Sequence, residues 1–259
     1  MEGIPMDKCT MEQLNEHVWI MRDEHNDTCY LVVGSEKALL VDTMCGYVNV
    51  REAAGSVTDK PLMVINTHGH GDHVFGNLWF SEAWMHPDDL PMVKEAMEDP
   101  QIREAVKAAG AEGFTFHPAR QGDLFDLGGL TAEIIELPGH TPGGICVLLR
   151  EDRILFTGDS INRHLWMQLD GCLSLREYGE KLDAIAAGVR EKADWILHGH
   201  ASGMEPVSLM DDMRRGIAEI VAGETGNDSE YTWFGGVCLQ HPYAENSVIV
   251  YDTKLQKIE

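Results

Sequence analysis

One segment constrains this chain more than any other: Thr67-His68-Gly69-His70-Gly71-Asp72-His73. It places three imidazoles and one carboxylate within six residues, directly after the apolar run Leu62–Asn66, which reads as a buried strand. Imidazole and carboxylate together suit zinc, iron and similar ions. Gly69 and Gly71 permit the sharp backbone turns that let alternating side chains converge. Four ligands in so short a loop exceed what one tetrahedral ion normally takes from such a stretch, so two ions sharing the loop is the simpler geometry.

Three more segments offer ligands in the same setting. Pro138-Gly139-His140-Thr141 follows the strand-like run Leu130–Leu137, Thr157-Gly158-Asp159-Ser160 follows Arg153–Phe156, and His198-Gly199-His200 follows Trp195–Leu197. A fold that uses all four must gather the ends of several strands at one edge, where α/β sheets collect ligands. Five of the twelve histidines fit this scheme. His200 is preferred as the last ligand, with His198 as the alternative.

The other signals alternate between strand and helix. His17–Met21, Thr28–Val33, Ala38–Asp42, Leu124–Leu127, Tyr231–Phe234 and Ser247–Tyr251 read as strands. Ile145–Arg150 and Arg153–Thr157 read as a hairpin. Tyr47–Val57, Pro87–Ala109 and Glu205–Ala222 read as helices, the second interrupted by Pro91 and Pro100. Ser174–Ala187 reads as a helix whose Ser174 and Glu177 form a capping box. Such a chain packs most naturally as layered α/β. At 259 residues it suits one large domain or two small ones, and no linker divides it, so residues 1–259 are read as one domain.

The net charge is −23. A chain this acidic repels phosphate backbones, which argues against nucleic acid or an anionic membrane as partner. No apolar run approaches the ~18–20 residues a bilayer requires. Met1–His17 is polar and carries no apolar signal core. The six cysteines are far apart, without a C-x-x-C pair, and read as small buried hydrophobes in a reducing compartment. The expected setting is therefore the cytoplasm, with a small-molecule substrate.

The motifs resemble those of the metallo-β-lactamase superfamily. The H-x-H-x-D-H pattern matches His68, His70, Asp72 and His73, and the later ligands match His140, Asp159 and His200. The resemblance runs from about Val18 to Ser202. It implies a four-layer αβ/βα sandwich with a binuclear centre at one edge, in a monomer or homodimer. In that family pattern His68, His70 and His140 hold the first ion, Asp72, His73 and His200 hold the second, and Asp159 bridges them. True β-lactamases lack a bridging carboxylate at the position of Asp159. Flavodiiron relatives carry Glu where His70 stands. Glyoxalase II relatives share the ligand set but hold their thioester with a C-terminal helical region, whereas the end of this chain reads as strands with only Lys254 and Lys257 as nearby cations.

The expected activity is hydrolysis of an ester, lactone, thioester or phosphodiester by a hydroxide shared between two divalent ions, Zn2+ first, with Fe or Mn as alternatives. Asp72 and Asp159 are then also the residues expected to orient the nucleophile or carry a proton to the leaving group. The competing reading is an oxidoreductase resembling persulfide dioxygenases, with one iron held by two His and one Asp. Ser160 and Thr141 are expected to donate hydrogen bonds around the ligands, and Asp42 to orient an imidazole. Arg163 or His164 is a candidate for an anionic substrate group, Trp166 and Tyr178 for aromatic walls. The segment Phe114-Thr115-Phe116-His117 is a candidate lid.

Overall fold

The structure is a computed structural model and describes residues 9–108 and 114–258. The first eight residues of the polar stretch Met1–His17, and Ala109 at the end of the second expected helix, lie outside the described residues. The first half of the chain forms β1 (Thr10–Gln13), β2 (Val18–Arg22), β3 (Thr28–Val33), β4 (Ala38–Val41), α1 (Val50–Gly55), β5 (Leu62–Ile65), α2 (Gly71–Val74), β6 (Glu82–Met85), α3 (Leu90–Ala96), α4 (Pro100–Ala108) and β7 (Thr115–Pro118). The second half forms β8 (Leu124–Asp126), β9 (Thr131–Glu136), β10 (Ile145–Leu149), β11 (Ile154–Gly158), β12 (His164–Trp166), α5 (Leu175–Lys192), β13 (Trp195–His198), β14 (Glu205–Pro206), α6 (Leu209–Ala222), β15 (Ser229–Trp233), β16 (Gly236–Ala244) and β17 (Ser247–Tyr251).

Strands β1 to β7 make one sheet in chain order, antiparallel up to β4 and parallel beyond it. A second sheet runs β14-β13-β11-β10-β9-β8. The two-residue side-chain period of the strands divides each of them between two cores. In β3, Tyr30 and Val32 face the second sheet while Cys29 and Leu31 face α1. In β10, Ile145, Val147 and Leu149 face the first sheet while Cys146 and Leu148 face α5 and α6. Helix, sheet, sheet and helix therefore stack as the expected four-layer αβ/βα sandwich. Helix α5 buries Leu175, Tyr178, Leu182, Ala186 and Val189 at helical spacing, and Ser174 and Glu177 form the expected capping box.

A third sheet, β12-β17-β16-β15, was not expected as a unit. Its Tyr243, Ile249 and Tyr251 join the core under α6. Strand β12 is three residues long and β16 contains Pro242, which is why neither carries a strong strand signal. Helix boundaries also differ: α1 spans Val50–Gly55 rather than Tyr47–Val57, and α5 runs on to Lys192 rather than ending at Ala187. The expected helix Pro87–Ala109 divides into a short 3₁₀ turn, α3 and α4, because Pro91 and Pro100 each lack a backbone donor and sit in a first turn. The expected helix at Glu205 begins at Leu209, since Glu205 and Pro206 pair with β13. Among the described residues no helix is long and apolar enough to cross a membrane.

Candidate metal centre

The expected ligand segments all emerge from strand ends at one edge of the sandwich. The His68 loop leaves β5, His140 follows β9, Asp159 follows β11 and His200 follows β13. Parallel pairing of β11 with β13 aligns Gly158 with His198 and sets the next loops side by side. The Ile145 amide donates to the Thr67 carbonyl at 2.9 Å, which fastens the second sheet to the loop that leaves the first.

Two groups of donor atoms result: His68, His70 and His140, then Asp72, His73, Asp159 and His200. In the first group His70 Nδ1 lies 3.1 Å from His68 Nε2 and 3.0 Å from His140 Nε2. The partners on the far side of the rings fix which nitrogens are lone pairs. His140 Nδ1 lies 2.7 Å from the Trp166 carbonyl, an acceptor, so Nδ1 carries the proton and Nε2 is bare. Thr67 Oγ1 donates to Asp42 Oδ2 and so accepts from His68 Nδ1, leaving His68 Nε2 bare as well. Burial and the surrounding imidazoles hold His68 well below its ordinary pKa, and burial with His140 pushes His70 down to about 3. Ring nitrogens that converge in this way form a seat for a cation.

The second group repeats the pattern. His73 Nδ1 binds Asp42 Oδ2 at 2.8 Å and His200 Nδ1 lies 3.0 Å from the Asn26 carbonyl. Their Nε2 atoms turn inward, toward Asp72 Oδ2 at 3.6 and 3.2 Å respectively. His73 Nε2 is buried and has no hydrogen-bond partner among the described residues, a costly arrangement for a polar atom that a metal ion would relieve. Asp159 spans both groups: Oδ1 lies 3.7 Å from His73, and Oδ2 lies 3.8 Å from both His140 and His200. Burial works against ionising Asp72, yet His73 and His200 hold its carboxyl down to about 2. Burial likewise opposes charge on His200, but Asp159 and Asp72 outweigh it and raise the ring to about 9. A side chain on Gly199 would collide with Asp159 Oδ1 and crowd His73, so the cradle depends on glycine there. This donor set fits divalent ions in both groups.

Comparison with known proteins agrees with this geometry. A family described as the metallo-beta-lactamase superfamily matches residues 22–217. The chain belongs to the metallo-beta-lactamase superfamily. Its fold is similar to that of a metallo-beta-lactamase from Pontibacter korlensis, with a TM-score of 0.63 and 17% identity over 82% of this chain and 99% of that one. Among curated relatives, an acyl-coenzyme A thioesterase of Gallus gallus is 30% identical over 156 residues, 51% of this chain and 56% of the relative. A hydroxyacylglutathione hydrolase of Rhizobium meliloti is 36% identical over 98 residues, 38% of this chain and 33% of the relative. The matches thus span about half of the first relative's length and a third of the second's.

Within this superfamily member, Asp42 does orient an imidazole, that of His73, while also accepting from the Thr67 amide and hydroxyl at 2.7 and 2.8 Å. Two supports escaped the sequence. Asp89, fully buried, accepts from the Gly69 amide, the Thr141 hydroxyl and the Gly143 amide at 2.9, 2.8 and 2.6 Å. It ties the His68 loop to the His140 loop. Asn162 donates to Asp159 Oδ1 at 2.9 Å. Neither residue stands in a pattern that single-sequence reading can assign.

Other expectations are corrected. Thr141 donates to Asp89 rather than to a ligand, and Ser160 reaches only the Leu137 carbonyl, at 3.4 Å. Arg163 is spent on Glu205, which it grips with two bonds of 2.6 Å, and on the Glu245 carbonyl and Ser247. Tyr178 is wholly buried under β9–β11 and donates to the Ser160 carbonyl, so it forms no wall. Phe116 and His117 pair in β7 with β6 and form no lid over the ligands. Of the two histidines after β13, His198 is buried, and the preferred candidate His200 is the one whose donor atom joins the second group. His164 and Trp166 do line the cleft above the ligands, which has a volume of about 840 Å³. They are joined there by Tyr231, Trp233 and Phe234 from the third sheet, a contribution the sequence did not reveal.

Proposed function

We propose that this protein is a binuclear metal-dependent hydrolase of small-molecule acyl thioesters. The observation that carries this reading is Asp159, whose Oδ2 lies 3.8 Å from His140 of one imidazole set and from His200 of the other, while its Oδ1 lies 3.7 Å from His73. His68, His70 and His140 would hold one ion, Asp72, His73 and His200 the other, with Asp159 between them. When bound, such ions supply Lewis acidity toward a carbonyl oxygen and lower the pKa of water toward about 7. Zinc suits this histidine-rich set, and iron and manganese suit it too.

The protein's own residues do the rest. Four Nδ1 contacts, to Thr67, Asp42, the Trp166 carbonyl and the Asn26 carbonyl, hold four rings in place before substrate arrives. Asp72 and Asp159 retain lone pairs at the cleft floor, so either can orient water or take up its proton. Hydrolysis forms a C–O bond to water oxygen and breaks the C–S bond. One proton of water ends on the departing sulfur.

Thioester is favoured over phosphodiester for two reasons. The cleft is lined by aromatic groups and by Asp170, with no Lys or Arg among its described residues, so beyond the metal-ligand set a charged diester meets no guanidinium or ammonium group. The acyl-coenzyme A thioesterase and hydroxyacylglutathione hydrolase matches are both named for thioester substrates.

The test is elemental analysis of protein purified without chelators, followed by a panel of acyl thioesters, esters, lactones and bis-aryl phosphates. About two metals per chain and preferential thioester turnover are expected. One iron per chain, with oxygen uptake on a persulfide and no hydrolysis, would replace this reading by the oxidoreductase one.

A further inference from the structure

A second cavity, of about 360 Å³, lies beside the ligand cleft. The two share Cys45 in their linings. Helix α2 stands between them: Gly71 and Asp72 line the cleft, whereas Val74 and the following Phe75 line the second cavity. That cavity is bounded mainly by apolar groups, including Leu78, Val93, Ile102 and Phe116, and no Lys or Arg is among the described residues that line it. Tyr47, on its lining, is 49% exposed, so the space opens to the surface. The hydrolytic chemistry proposed above makes no use of it.

We propose that this cavity seats the aliphatic tail of the substrate's acyl group, which enters past Cys45 while the thioester carbonyl lies at the metal ligands. The inference rests on the thioesterase reading and adds the acyl specificity. Three observations carry it. The cavity shares Cys45 with the cleft and lies across α2 from it, so the two spaces are adjacent. Its apolar lining without a cation rewards a neutral hydrocarbon and gives an anionic group nothing to bind. Its volume lies in the range of sites that bury small ligands. The aromatic wall of Trp166, Trp233 and Phe234 then borders the leaving thiol, and the two halves of the substrate meet different surfaces.

Two variants of the metal-loaded protein test this. Ile102→Trp fills the cavity, and Met97→Asn makes its lining polar without adding bulk; both positions are half-buried. Circular dichroism and a melting curve check that each variant is folded. Titration calorimetry with decanoate, and with butyrate to account for the carboxylate alone, reads the tail directly. The ratio of kcat/KM for a decanoyl thioester over an acetyl thioester reads it in turnover. Decanoate is expected to bind the wild type at least tenfold more tightly than butyrate. That preference, and the decanoyl-to-acetyl ratio, should each fall at least tenfold in both variants. A wild type that binds both acids equally, or a preference untouched in folded variants, overturns the proposal. If no thioester is hydrolysed but the decanoate preference appears and disappears with these variants, the hydrolase reading fails while the chain-binding cavity stands.

Discussion

The floor and the wall of the cleft are built by opposite means. On the floor, every ligand-bearing loop is fastened from behind. Asp42 holds His73, Asp89 joins the His68 and His140 loops, and backbone carbonyls hold His140 and His200. The wall comes from the third sheet, where Trp166, Tyr231, Trp233 and Phe234 touch one another edge to face or tilted. Phe234, at the turn between β15 and β16, is 89% exposed. Hydrogen bonds fix distances and protonation states, which chemistry requires, whereas apolar contact accepts a range of partners. On the proposed reading the floor would set the reaction, and the wall would border what is brought to it.

The sharpest way to break that division is Asp159→Ala. It removes the carboxylate that reaches His140 of one donor group as well as His73 and His200 of the other, so at least one metal per chain should be lost and turnover should fall by on the order of 10³-fold or more. Elemental analysis beside kcat measures both. An alanine variant with full metal content and full activity would end the bridging assignment.

Asp42→Ala should act one step further out. It leaves every ligand in place but takes away the acceptor of His73 Nδ1–H and of the Thr67 amide and hydroxyl. Metal affinity or activity should drop by about 10–100-fold. Competition with a chelator of known affinity gives the number. An unchanged affinity would mean that packing alone aligns His73.

This difference between floor and wall is also a difference in legibility. The convergent donors could be read because H-x-H-x-D-H compresses four of them into one loop, and because glycines flank the rest. The four layers could be read because β3 and β10 are apolar on both faces and α5 shows a helical stripe with its capping box. The supports could not. Asp89 lies between two prolines in a segment whose helical spacing suggested a single interrupted helix, and its three donors come from loops distant in sequence. Arg163 looked free because Glu205 follows it only at a separation of 42 residues. Tyr178 looked like a wall because an aromatic residue has the same appearance in sequence whether it packs inward or outward.

On the wall, Phe234→Ala should change binding and little else. The side chain is almost fully exposed, so its loss should leave the melting temperature nearly unchanged. KM for the preferred thioester should rise by roughly three- to tenfold, the size of one aromatic contact of about 0.5–1.5 kcal/mol, with kcat retained. Equal falls in kcat and kcat/KM would place Phe234 in the transition state and move it from wall to floor.

The smallest effect concerns how the wall is attached. Arg163, just before β12, reaches Glu205 of β14 and so joins the third sheet to the second. The hydrogen bond from Arg163 holds the Glu205 carboxyl below its ordinary value. A depressed carboxyl stabilises the folded state above the unfolded pKa of about 4.3, and that contribution fades as pH falls through the folded value. The pair is partly exposed, so its worth after screening is about 1 kcal/mol. Glu205→Gln should therefore melt slightly below the wild type at pH 6 to 7. The gap should narrow as pH falls below the unfolded value of about 4.3, and close once Glu205 is protonated in the folded protein as well. Turnover per metal should stay within about twofold, because neither residue lines the cleft. A gap that persists unchanged at acid pH would show that the third sheet is held by packing under α6 rather than by this ion pair.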